Sequence, residues 1–198
     1  MMEWTAFEDQ ARAEGYTCIC GIDEAGRGPL AGPVYAAAVV LRPGQVIEGV
    51  NDSKKLSEKK REALFDTICS HCAAYGIGSA TEKEIDEINI LNATYLAMQR
   101  AVAALPVQPD CALVDGNRAP DLPLEVRTII KGDAQSASIA AASILAKVSR
   151  DRYMLQMAEK YPQYAFEKHK GYGTKLHYER LEQYGISPIH RLSFLKKW

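Results

Sequence analysis

The feature that most constrains how this chain can fold is a pattern that recurs three times. A short apolar run, too brief for a helix, delivers the chain to a carboxylate. Ile22 leads to Asp23 and Glu24, Leu113 and Val114 lead to Asp115, and Ile129 and Ile130 lead through Lys131 and Gly132 to Asp133. Such runs, bounded by Gly, Pro or Asp, read as buried strands. In open α/β sheets, ligand sites form outside the carboxyl ends of strands. If the three strands are neighbours, their acids converge, and converging anions demand a cation. Hard oxygen donors without Cys or His suit Mg²⁺ or Mn²⁺ rather than zinc. A single strand-end Asp is more often a turn former or a helix cap. Three, each with a Gly within three residues, are harder to account for that way.

The rest of the chain supplies the partners that such strands need. Strands are expected over residues 17–23, 34–41, 75–80, 111–114 and 126–130. Residues 57–74 read as a helix. Another starts at Thr81, where Glu84 completes a capping box. It continues through Ile88, Leu91, Tyr95, Met98, Val102 and Leu105 until Pro106 stops it. Residues 136–161 form a long helix whose alanines and serines allow close approach to a neighbour, and 174–184 a short one ending at Gly185. This order predicts an α/β fold with a mixed central sheet flanked by helices. A core over 1–162 would carry a small C-terminal helical appendage over 163–198.

Composition narrows the possibilities further. At 198 residues the chain fits one domain, and 47% hydrophobic with 25% charged residues is a folding composition. Its longest apolar run, Val34 to Leu41, has eight residues, against about 20 for a bilayer-spanning helix. The acidic first 16 residues hold no apolar core of signal-peptide length, so the expected compartment is the cytoplasm and the expected state a monomer. Cys18, Cys20, Cys69, Cys72 and Cys111 are an odd set; the CxxC at 69 and 72 falls on a helical apolar face and reads as core packing. Beyond Pro162 the chain carries seven Lys and Arg against three Glu, with tyrosines 164, 172, 178 and 184 among them. Basic and aromatic residues so mixed suit a nucleic-acid backbone with stackable sugars, although a solvated helical face looks similar.

The loop Gly26–Pro33 is rich in glycine but is no Walker loop, since no GKS or GKT follows. It permits close backbone approach beside Asp23 and Glu24; read alone, it is a sharp turn between strands. Taken together, GIDEAGRGPLAGPV, NDSKKLS, DEINILNATYLAMQRAV, LVDGN, KGDAQSASIAAASILAKVSRDRYM, HKGYGTKLH and HRLSF closely resemble the bacterial ribonuclease HII family, from about Cys18 to Phe194. Residues 1–17 carry no motif of that resemblance.

The resemblance implies a ribonuclease H-like fold and four metal-binding, catalytic carboxylates: Asp23, Glu24, Asp115 and Asp133. Asp151 corresponds to a supporting acid near them. It also implies that Gly26, Arg27 and Gly28 read a ribose 2′-hydroxyl through backbone groups. Tyr172 would stack on the following sugar, and Ser53 and Lys54 would contact phosphate. Two divalent ions, Mg²⁺ or Mn²⁺, would serve cleavage on the 5′ side of a ribonucleotide in RNA–DNA hybrids and in ribonucleotide-containing duplex DNA. Three rivals stay open from the residues alone. One is metal-free acid–base chemistry by His169, His177 and His190, although their Lys and Arg neighbours favour phosphate contact or surface exposure. The others are a non-catalytic binder of hybrids and a small-molecule phosphohydrolase.

Overall fold

The computed structural model describes residues 4–51 and 53–196. Its five strands are β1 (Ile19–Ala25), β2 (Val34–Val40), β3 (Ala74–Ala80), β4 (Cys111–Asp115) and β5 (Glu125–Ile129). They lie in the order β3-β2-β1-β4-β5. The first three form an antiparallel meander, while β1, β4 and β5 run parallel. Parallel neighbours end on the same edge, and the register is tight: Ile22 lies opposite Val114, and Asp115 opposite Ile129. The three acid-bearing strand ends are therefore side by side. β1 runs two residues further than expected, so Glu24 joins Asp23 within the strand, and the two face opposite sides of the sheet.

Helix α3 (Glu82–Ala103) covers one face, where Cys20 and Ile22 meet Ala93, Ala97 and Met98. Helix α4 (Ala137–Lys160) covers the other with α2 (Glu58–His71) beside it. Gly21 sets the approach of α4: a Cβ there would stand 2.3 Å from the Ser138 carbonyl carbon. Gly78 does the same for α3, with 2.3 Å to the Ala97 oxygen.

Two departures from the sequence reading have physical causes. The Thr81–Glu84 capping box forms as expected, but α3 breaks at Asn89 (φ 68°, ψ 165°). The Asn89 side chain then accepts from the Asn92 amide at 3.1 Å, capping the second segment anew. Ile88 is left exposed, while Ala93, Ala97 and Ala101 let the helix lie close to the sheet beside Met98 and Leu105 of the expected stripe. The motif-free N-terminus holds a helix, α1 (Ala6–Ala13). Its buried Glu8 accepts from the Ser136 hydroxyl (2.6 Å) and from the Ser138 hydroxyl (2.6 Å) and amide (3.0 Å), pinning α1 to the start of α4.

Beyond α4, the short α5 (Phe166–His169) and α6 (Lys175–Tyr184) fold back over the loop that joins β1 to β2. Tyr164, Phe166, Leu181 and Ile189 pack on Leu30, Ala31 and Met154. His169, His177 and His190 are buried in this tail, which corrects their expected placement at the surface. Arg191 is buried as well, so it leaves the set of outward-facing positive charges, and Tyr164 is core rather than a stacking platform. Lys197, another of those charges, and Asp52 of the NDSKK segment lie outside the described residues.

Candidate active site

Asp23, Asp115 and Asp133 converge at the shared strand edge, each offering an oxygen within 4.8 Å of the others. The backbone explains the grouping. Asp115 closes β4, and its Oδ1 accepts from the Gly132 amide at 2.6 Å, drawing in the turn that carries Asp133. Lys131 enters that turn with a left-handed backbone, φ 56°. Asp23 is held well above the ordinary carboxylate range, first by burial and then by the charges of Glu24 and Asp115. Such a group is costly to ionise until a cation neutralises its surroundings. A buried, all-oxygen set of this kind fits a hard divalent cation, and among the described residues it is the one group of ligating side chains drawn together this closely.

Glu24 is not part of that trio. It points to the α3 side, and Arg27 approaches it at 3.6 Å. Burial raises its pKa; Arg27 offsets this in part and Asp115 adds to it. Its carboxylate lines two adjoining cavities. One, of about 410 Å³, lies against Tyr95 and Met98 of α3. The other, of about 260 Å³, collects Asp23, Asp115, Gly26, Arg27, Gly28, Ser53, Lys54 and Tyr172 around one opening. Lys54 reaches Asp133 at 3.5 Å. Ser53 is buried, and its carbonyl accepts from Arg61. Asp151 is paired with Lys147 at 2.8 Å, outside the trio.

Two residues missed in the sequence shape the loop. The Arg191 guanidinium donates to the carbonyls of Gly26 (2.6 Å), Gly32 (2.8 Å) and Arg27 (3.0 Å). Arg150 donates to those of Ala31 (2.9 Å), Lys170 (2.9 Å) and Pro33 (3.1 Å). Gly26 takes φ +95°, and a Cβ on it would meet Arg150 Nε at 2.1 Å, so no other residue fits. Both arginines stand inside motifs quoted above, but Arg191 reads there as tail charge and Arg150 carries no reading of its own. Tyr172 stands beside Gly28, half-exposed, with Lys147 Nζ 5.8 Å and Arg150 Cζ 5.7 Å from its ring centre.

A mixed sheet with acids at the ends of its parallel strands, and a clamped glycine loop beside them, defines a metal-binding hydrolase of ribonuclease H-like fold. Comparison with known proteins is in accord. The profile of the family described as Ribonuclease HII matches residues 20–197. The Ribonuclease HII of Caldicellulosiruptor bescii is 60% identical over 189 residues, spanning 96% of this chain and 92% of its own. That of Clostridioides difficile is 58% identical over 190 residues, or 96% and 74%. Among solved structures, the ribonuclease H2 of Pyrococcus horikoshii OT3 superposes with a TM-score of 0.75 at 30% identity, covering 89% of this chain and 93% of that one. The chain belongs to the ribonuclease HII family and is an endoribonuclease.

Proposed function

We propose that this enzyme hydrolyses the phosphodiester on the 5′ side of a ribonucleotide, in RNA–DNA hybrids and at single ribonucleotides in duplex DNA. Water's oxygen joins phosphorus as the bond to the upstream 3′-oxygen breaks and that oxygen takes up a proton. The products are a 3′-hydroxyl and a 5′-phosphate. The observation that carries this reading is one opening lined by Asp23, Asp115, the glycine loop and Tyr172, with Asp133 drawn in beside the two acids.

Asp23, Asp115 and Asp133, with Glu24 beside them, would hold two divalent ions, Mg²⁺ or Mn²⁺. Bound there, such ions supply an activated water and neutralise charge on the departing oxygen. The chain's own groups provide selection. Backbone groups of Gly26–Gly28 read the 2′-hydroxyl, which ribose alone presents, without reading a base. The carbonyls of Gly26 and Arg27 are already held by Arg191, so the loop is shaped before substrate arrives. Tyr172 stacks on the next sugar, while Lys54 and the Ser53 turn approach phosphate. Asp151 acts in support, fixing Lys147 at the same opening. The tail from residue 163 then serves as the substrate-facing lip of the 1–162 core, in a cytoplasmic monomer acting in ribonucleotide excision and primer removal. No described helix is long and apolar enough to cross a membrane.

Histidine chemistry is the weaker reading. His177 and His190 are buried, and burial pushes both down to about 4, unsuited to proton transfer at neutral pH. The deciding experiment is cleavage of a DNA duplex holding one ribonucleotide, with metal titrated and ends mapped. The expected result is a metal-dependent nick on the 5′ side with a 3′-hydroxyl. Cleavage that persists in chelator, or an upstream cyclic phosphate, overturns the reading.

A further inference from the structure

The buried histidines of the tail carry an assignment of their own. The Ser187 amide, which can only donate, lies 2.8 Å from His190 Nδ1, and the Ser187 hydroxyl lies 2.7 Å from the same atom. His190 Nδ1 is therefore an acceptor, and the single ring proton of the neutral imidazole sits on Nε2. That Nε2 faces His177 Nε2 at 2.9 Å, so His177 accepts there and carries its own proton on Nδ1. His177 Nδ1 in turn lies 2.9 Å from the Tyr172 carbonyl, which can only accept. Every link has one permitted direction, set by a main-chain donor at one end and a main-chain acceptor at the other. Charging either ring would set two N–H groups against each other across the 2.9 Å contact, or force the Ser187 amide off its acceptor.

The chain ends on the residue whose ring stands beside Gly28. Tyr172 is fixed from its other side too, since its amide donates to the His169 carbonyl at 2.9 Å. The His169 ring stacks on His177, with centres 4.3 Å apart and planes 15° apart. His190 also forms an isolated bridge with Ala31, in the glycine-rich loop itself.

We propose that His190 and His177 are positioning residues for Tyr172, setting through this directed hydrogen-bond chain where its ring stands against the loop that selects ribose. The inference rests on the role given to Tyr172 under Proposed function. It also explains why three histidines occupy a core otherwise lined by Phe166 and Leu181.

The test compares kcat/KM on a duplex holding one ribonucleotide with kcat/KM on an all-RNA strand opposite DNA. His177→Leu removes both polar contacts; His177→Asn keeps an amide donor where Nδ1 stood. Leu is expected to lower the single-ribonucleotide preference about 3- to 10-fold while hybrid cleavage is largely kept, and Asn to recover most of it. Leu added to Tyr172→Ala should cause no further fall, because both act through one ring. A loss that multiplies in the double variant, or falls equally on both substrates, overturns the proposal. So does a ¹⁵N spectrum showing His177 protonated at Nε2. If Tyr172→Ala itself leaves the preference unchanged, the role of Tyr172 fails, and the histidines lose their assignment with it.

Discussion

Asp23 sits where its charge is least welcome, inside a strand, beneath α4 and beside two other acids. Replacing it, or Asp133, by Asn should reduce metal-dependent cleavage more than about 100-fold while duplex binding persists. Initial rates and a gel-shift assay on the same preparations check both halves. Because its folded pKa lies above the unfolded value, the metal-free protein loses stability as pH rises from the ordinary carboxylate range through the raised one. Added Mg²⁺ should reverse that loss, since ligands must shed protons to bind metal. Scanning calorimetry from about pH 5 to 8, with and without Mg²⁺, tests the sign; Asp23→Asn should flatten the metal-free curve. The acids were legible because each follows an apolar run. Arg150 and Arg191 were not, because they bond main-chain carbonyls more than a hundred residues away, and nothing local marks an arginine for such a task.

The helices stand where small residues let them. Gly21→Ala would drive a methyl into the α4 backbone at Ser138, and should destabilise the fold by about 3 kcal/mol or prevent folding, as urea titration would show. Glu8→Ala leaves the Ser136 and Ser138 hydroxyls without their carboxylate and should cost about 2 kcal/mol in the same assay, with residual activity in the folded fraction. The positions of the strands along the chain and the α3 capping box could be read from residue patterns. The break at Asn89 could not, because the 3,4,3,4 spacing of apolar residues runs straight through it. Helix α1 escaped notice for a related reason. Its worth lies in one carboxylate that meets its partners only after α4 is in place.

Across the molecule, the two ends of the chain build the site jointly. Arg191→Lys keeps the charge but cannot span three carbonyls as a guanidinium does. It should lower kcat/KM on the single-ribonucleotide duplex about 10-fold or more, with metal affinity, read by calorimetric titration, little changed. The sequence showed that the tail is basic and aromatic but not which of its residues face outward. Tyr172, Tyr178 and Tyr184 are exposed, while Tyr164 and Arg191 are spent on packing. There is a consequence for biosynthesis. A nascent chain halted before residue 191 already possesses its acids but lacks the clamp that shapes the Gly26–Gly32 turn. If that turn selects ribose as proposed, the selection is acquired late in translation, once Arg191 has joined its carbonyls.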